Sequence, residues 1–202
     1  MAWDQIPTDE IINKTAKALE SNGIKTIVVE NGKKAKEEVL KLIPKDSQVM
    51  TVTSTTAQQI GLDRAIDEST KFVSLRKKIM ALPQSEQRAQ IRRINSAPDY
   101  VVGSVHAVTE DGKIVIASNS GSQLAPYVFS AVHVIWVVGA QKIVRNLDEA
   151  MKRVEEYTFK LEDERLMNAY GMHSGIRKLL IINSEVMPGR ITLIFVKEKL
   201  GF

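Results

Sequence analysis

The feature that most constrains the fold is an alternation of helical segments with short apolar runs at the start of the chain. Residues 1–23 and 33–43 carry apolar side chains at helical spacing, and each segment is followed by a run of strand length. These runs are 24–29 and 49–52. Helix–strand repetition of this kind predicts an α/β fold built on a parallel sheet.

Two later pairs of strand-like runs are separated by turn residues, and each pair predicts a β-hairpin. The first pair, 101–108 and 113–117, flanks an Asp-Gly dipeptide, which is a strong short-range hairpin signal. The second pair, 179–182 and 191–196, brackets a Pro-Gly turn and predicts a C-terminal hairpin at one side of the sheet. Residues 75–97 lack strand signals and predict a helical cap or insertion.

Length and composition are those of an ordinary globular protein. The chain has 202 residues, of which 44% are hydrophobic and 26% charged, and no repeat or linker divides it, so residues 1–202 are predicted to form a single domain. No apolar run approaches the roughly 20 residues that span a bilayer. The first residues lack the pattern of a secretory signal, and we therefore predict a cytoplasmic protein.

Cysteine and histidine usage limits the chemistry of the chain. It contains no cysteine, which excludes a disulfide framework, a thiolate metal site, a catalytic cysteine and a cysteine-held iron–sulfur cluster. Its three histidines are far apart and share no metal-ligand spacing, so we predict neither a metal site nor a cofactor. The net charge of +4 comes from scattered residues, which argues against a nucleic-acid surface.

Two hydroxyl-rich turns are the candidate binding loops. The first follows the run 49–52 and the second follows the first hairpin. Their candidate ligand-binding residues are Ser54, Thr55 and Thr56 in the first turn, and Asn119, Ser120, Gly121 and Ser122 in the second. Ligands of open α/β sheets bind beyond the carboxyl ends of strands, so we expect these turns to bind an anionic group together. The alternative is that they only cap helices, as Ser and Thr often do.

Three further residues are candidates because of their places in the pattern. Lys142 follows the buried run 134–139 and is a candidate source of positive charge at a strand end; a surface lysine is the alternative. Ser104 and His106 alternate along the first hairpin strand, so their side chains share one face. If that face lines the site, His106 can bind a ligand or shuttle a proton; a structural histidine is the alternative.

The order and spacing of several motifs resemble those of the LUD domain, a family named for lactate-utilisation proteins. Within this family the chain is similar to proteins like lactate-utilisation protein C. The resemblance extends over residues 24–196. The motifs that carry it are Thr53–Thr56, Ile60–Leu62, Val102–Gly112, Val137–Gly139, Lys142–Val144 and Leu147–Ala150. It implies a three-layer, Rossmann-like α/β fold related to sugar-phosphate isomerases and CoA-transferases, with a mostly parallel sheet and an added hairpin.

The resemblance also implies a functional context. The better understood members of the family act in the oxidation of L-lactate to pyruvate by multiprotein systems, and the iron–sulfur clusters of these systems lie in cysteine-rich partners or extensions. Glu110 matches the turn glutamate of the family, which makes it a candidate general acid, general base or nucleophile toward an acyl group. The alternative for Glu110 is an exposed turn residue.

These features lead to two functional hypotheses. In the first, the chain binds a small anionic metabolite at the strand ends, such as a hydroxy or keto acid, a phosphorylated compound or an acyl-CoA-like molecule. In the second, it is a non-catalytic accessory or regulatory subunit that docks an iron–sulfur oxidoreductase partner. The sequence leaves open whether the chain is an enzyme and whether it forms a homo-oligomer.

Overall fold

The computed structural model describes residues 3–94 and 96–202. The predictions for 1–23 and 75–97 include residues 1, 2 and 95, which lie outside the described residues. The α-helices are α1 (Asp9–Ser21), α2 (Gly32–Leu42), α3 (Thr55–Gln59), α4 (Leu62–Asp67), α5 (Leu75–Met80), α6 (Gln84–Ile94), α7 (Leu147–Arg153) and α8 (Phe159–Tyr170). The strands are β1 (Lys25–Val29), β2 (Gln48–Thr51), β3 (Val73–Ser74), β4 (Tyr100–Gly103), β5 (Ala107–Thr109), β6 (Ile114–Ser118), β7 (His133–Gly139), β8 (Ile143–Val144), β9 (Lys178–Ile182) and β10 (Ile191–Val196).

Six strands form a parallel sheet in the order β1-β10-β7-β4-β2-β3. Side chains of the central strand β7 point alternately to two separate cores. Trp136 belongs to a core shared with α1, whereas Ile135 and Val137 belong to a core shared with α2, α3 and α4. A strand that is buried on both faces consists almost entirely of apolar residues, as β7 does. The predicted α/β fold with a mostly parallel sheet is confirmed.

A second, smaller sheet has the order β8-β5-β6-β9 and packs on the core that contains Trp136. Strands β5 and β6 are antiparallel, as the Asp-Gly turn predicts. The predicted strand 101–108, however, is two strands: β4 ends at Gly103 in the large sheet, and β5 begins at Ala107 in the small one. We call the connecting residues 104–106 the sheet crossing, because they carry the chain from one sheet to the other.

The predicted C-terminal hairpin is wrong, although both of its strands exist. Strand β9 pairs with β6 at the edge of the small sheet, whereas β10 pairs in parallel with β1 and β7 in the large sheet. Every residue of β10 is buried, while every residue of β9 keeps some exposure. This difference in burial explains why the two strands lie in different sheets. A strand as apolar as β10 is stable in the interior of the large sheet, where strands flank it on both sides and a core covers each face.

Helices α7 and α8 belong to one continuous helical segment that contains an unusual turn. Residues 154–158 between them form a π-helical turn, in which hydrogen bonds span five residues. Such turns are rare and occur frequently at functional sites. Helix α8 contains no fully buried residue. No helix in the described part of the chain has the length and apolarity needed to cross a bilayer.

Arg190 connects the turn before β10 to the segment before β7. Its guanidinium pairs with Glu185 at 2.7 Å and donates hydrogen bonds to the carbonyls of Pro126, Tyr127 and Ala131 at 3.0–3.2 Å. Both charged side chains are buried, with at most a tenth of their surface exposed. The hydrogen bonds fix the backbone behind Tyr127, whose side chain lies between the two sheets.

Candidate functional site

A cavity of about 510 Å³ lies at the carboxyl ends of the adjacent strands β7, β4 and β2. Its floor consists of the turn 53–56 after β2, the sheet crossing after β4, the loop 118–123 after β6, and Lys142. The chain leaves β2 toward α3 on one face of the large sheet and leaves β4 toward the small sheet on the other face. Ligands of open α/β folds bind where neighbouring connections diverge in this way.

Lys142 contributes a buried cation to the floor. Its Nζ atom lies 3.1 Å from Thr56 Oγ1, 3.1 Å from Ser104 Oγ and 3.1 Å from the carbonyl oxygen of Val105, and the residue is 2% exposed. All three partners are neutral, and no carboxylate of residues 3–94 or 96–202 lies within 4 Å of the ammonium. Burial, with a smaller contribution from the charge of Arg153, lowers the pKa of Lys142 well below its ordinary value.

Arg153 is a second buried cation close to the floor, and the sequence analysis did not select it. Its guanidinium donates to the carbonyl oxygen of His106 and to Thr158 Oγ1, and its Nε has no hydrogen-bond partner among the described residues. Burial lowers the pKa of Arg153 to about 10. One sequence signal could have identified it: Arg153 lies three residues after Ala150 and so falls within the buried stripe of α7.

The side chain of His106 lines the cavity as a neutral ring. The backbone N–H of Ala117 donates to His106 Nδ1 at 3.2 Å, so the proton of the neutral imidazole resides on Nε2. Burial, with smaller contributions from the charges of Lys142 and Arg153, lowers the pKa of His106 to about 3. Of the two functional roles predicted for His106, this geometry favours hydrogen bonding to a ligand over proton shuttling.

Replacing His106 by asparagine should weaken the acid dependence of stability. Between its folded pKa and its ordinary pKa, His106 binds fewer protons in the folded protein than in the unfolded chain. The free energy of unfolding therefore decreases as the pH is lowered through this window. We expect the free energy of unfolding to fall by roughly 3 kcal/mol between about pH 6.5 and pH 4 because of this residue alone. Urea unfolding at a series of pH values measures the change.

In His106→Asn the amide oxygen can still accept from Ala117, so the variant removes the titration with little loss of packing. Carboxylates with lowered pKa values, such as Asp163 and Glu185, contribute to acid sensitivity equally in both proteins. A pH profile that is the same in both proteins would contradict the lowered pKa of His106.

The structure brings the first hydroxyl turn and the sheet crossing together. Ser54, Thr55, Thr56 and Ser104 all line the cavity. Thr56 Oγ1 lies 3.3 Å from Ser104 Oγ, and both accept from Lys142. The Ser54 hydroxyl also accepts from the N–H of Ala57 as the cap of α3, so capping and lining are compatible at this residue.

The second hydroxyl turn also reaches the cavity, with one exception. Asn119, Ser120 and Ser122 line it, whereas Gly121 does not. Gly121 has φ +85° and packs against the Lys178 side chain, so its role is to let the loop turn.

Glu110 lies outside the cavity. Its carboxylate pairs with Lys14 of α1 at 2.8 Å, and its N–H donates to the carbonyl of Val144. The hairpin tip therefore points toward α1, away from the hydroxyl turns and Lys142. Spacing along the hairpin could not reveal this, because the turn after β5 is separated from the large sheet by the sheet crossing.

The walls of the cavity come from helices that the sequence analysis did not connect with the site. One wall is formed by α5 and α6, and the other by α8 with the loop 174–176 that follows it. The apolar wall residues are Ile79, Met80, Ile91, Phe159, Leu166, Tyr170 and Ile176. Two arginines, Arg76 and Arg165, also line the walls.

Residues 12–196 match the family described as the LUD domain. The chain is similar to the crystal structure of a DUF162 family protein from Deinococcus radiodurans, with 13% identity, a TM-score of 0.56, and coverage of 94% of this chain and 99% of that one. It also matches eIF2B beta from Chaetomium thermophilum, with 20% identity, a TM-score of 0.34, and coverage of 58% and 40%. A search of curated proteins found no match.

Proposed function

This chain belongs to the LUD domain family, and we propose that it binds a small anionic metabolite in the cavity at the strand ends. The ligand class that fits best is a hydroxy or keto acid, in keeping with the lactate utilisation for which the family is named. A cytoplasmic location remains part of this proposal.

The observation that carries the proposal is the uncompensated charge of Lys142. Removing a cation from water costs several kcal/mol, and neutral hydroxyl and carbonyl oxygens offset only part of that cost. Lys142 has only such partners, and Arg153 adds a second unpaired positive charge nearby. An anion in the cavity would supply the missing negative charge.

The neighbouring groups suit a carboxylate beside a hydroxyl or carbonyl oxygen. Lys142 donates to Ser104 Oγ, so the Ser104 hydroxyl is oriented to donate its own proton to a ligand. Its alternative acceptor, the Val105 carbonyl, is 3.4 Å away and easily replaced. The Nε2–H of His106 is a further neutral donor, which can polarise a ligand oxygen without taking up a proton.

The test is a binding experiment with pyruvate, lactate, a sugar phosphate, a CoA ester and sulfate, first by thermal shift and then by calorimetry. A ligand at 100 times its Kd should stabilise the fold by about 2.7 kcal/mol. Because the pKa of Lys142 is lowered, its ammonium loses its proton as pH rises, and binding of an anion should weaken. Above that pKa we expect up to a tenfold loss of affinity per pH unit, measured over a series of pH values below the ordinary pKa of lysine.

The matched variant is Lys142→Arg, because a guanidinium stays charged throughout this range. Its Kd should be nearly independent of pH. If the Kd of the wild-type protein for an anion is also independent of pH, the charge of Lys142 does not control binding. If none of the five compounds binds, the proposal fails.

A second candidate function is the accessory subunit that docks an iron–sulfur oxidoreductase. The observation that favours it is a group of exposed apolar residues around the Arg190 contacts, namely Val128, Phe129, Val132, Val186 and Met187. Phe129 alone is 86% exposed. Surfaces of this kind often mark protein interactions. If no metabolite binds the cavity, this role is the one that the structure supports next.

A further inference from the structure

The cavity is much larger than lactate or pyruvate. Its volume is about 510 Å³, which lies within the range of about 300–1,000 Å³ that is usual for pockets binding larger, drug-sized ligands. A three-carbon acid held at Lys142 and the hydroxyl turns would fill only a minor part of it. The rest of the space lies between the helical walls.

The walls offer apolar surface that the protein itself leaves uncovered. Helix α8 has no fully buried residue, yet Phe159, Leu166 and Tyr170 all line the cavity. Ile79 and Ile91 face the same space from α5 and α6. An amphipathic helix normally packs its apolar side against a core. Here the space beside that side of α8 is the cavity.

The arginines of the walls already have carboxylate partners. Arg165 forms two hydrogen bonds with Glu162 at 2.7 Å, and Arg76 lies 3.9 Å from Asp67. Lys142 differs from them: among the described lysines and arginines that line the cavity, it alone has no carboxylate within 4 Å. The charge available to a ligand is concentrated at the floor.

We infer that the ligand has one anionic end and a bulky apolar body: a 2-oxo or 2-hydroxy acid with a branched or aromatic side chain. The inference rests on the proposed function and deepens it. The carboxylate and the adjacent oxygen lie at the floor near Lys142, Ser104 and His106. The side chain lies between α5–α6 and α8, where it covers Leu166 and Phe159.

The test compares the Kd values of pyruvate, 4-methyl-2-oxopentanoate and phenylpyruvate by calorimetry. These acids share one head group and differ in apolar size. Burial of a methylene group corresponds to about a fourfold gain in affinity. We expect the branched and aromatic acids to bind at least tenfold more tightly than pyruvate.

Leu166→Gln should remove most of this gain, measured as the ratio of the Kd of pyruvate to the Kd of each larger acid, because it makes the apolar wall polar. Leu161→Gln is the matched control: Leu161 lies on the same helix but does not line the cavity. It should leave all three Kd values unchanged.

The outcomes separate this inference from the proposed function. Equal affinities for the three acids, all abolished in Lys142→Met, would overturn the inference and leave the proposed function standing. Tighter binding of a CoA ester or sugar phosphate than of any of the three acids would also overturn it. Loss of the side-chain gain in Leu161→Gln to the same extent as in Leu166→Gln would contradict the placement of the apolar body.

Discussion

Lys142→Met is expected to weaken binding of an anionic ligand about 100-fold without lowering the melting temperature of the unliganded protein. A hydrogen bond to a charged group contributes about 1.5–3 kcal/mol, and the variant removes both that bond and the charge. Stability should not suffer, because the variant also removes the desolvation cost of a buried cation that has only neutral partners. Calorimetry and thermal unfolding of the same samples measure the two effects.

Lys152→Met is the matched control, since Lys152 is exposed on α7 and lies outside the cavity. It should change neither quantity appreciably. A different result is expected if the only role of Lys142 is to stabilise the cavity floor through its hydrogen bonds to Thr56, Ser104 and Val105. Then Lys142→Met would lower the melting temperature by several degrees and leave ligand affinity intact, which would overturn the functional assignment.

Arg190→Met should lower the free energy of unfolding by about 3–5 kcal/mol, the largest stability effect that we expect. The variant leaves the Glu185 carboxylate buried without its partner and removes the donor to three backbone carbonyls. Buried groups that lose their partners bear the full cost of desolvation. Urea unfolding at neutral pH provides the measurement.

Arg64→Met gives the comparison, because Arg64 of α4 forms an exposed ion pair with Glu68, the residue after the helix. Exposed pairs contribute about 0–1 kcal/mol, so this variant should be nearly neutral. If Arg190→Met lowers the free energy of unfolding no more than Arg64→Met does, the contacts of Arg190 with residues 126–131 do not stabilise the fold.

The elements of the fold could be predicted from the sequence wherever one periodicity dominates. Helix α1, strand β1, helix α2 and strand β2 were predicted from spacing and from turn residues. The C-terminal hairpin was not predictable in this way. The Pro-Gly turn before β10 is compatible with a hairpin, and only the tertiary structure shows that β10 belongs between β1 and β7.

The site could be predicted in part for a related reason. The first hydroxyl turn and Lys142 follow β2 and β7, whose carboxyl ends meet at one edge of the parallel sheet, so their convergence follows from topology. The second hydroxyl turn follows β6 of the small sheet, whose neighbours are antiparallel, so this argument does not predict its approach to the cavity. Glu110 follows a strand of the small sheet, and topology directs it toward Lys14 instead. The wall residues of α8 are distant in sequence from the floor, and no local signal connects them with it.

The sheet crossing joins the two sheets, and this has a consequence for the dynamics of the protein. Its carbonyls accept from Lys142 and Arg153, and its side chains face the cavity. An occupant would therefore suppress the partial unfolding that separates one sheet from the other. Amide hydrogens far from the ligand, in β9 as well as in β1, would then exchange more slowly with solvent when the cavity is filled.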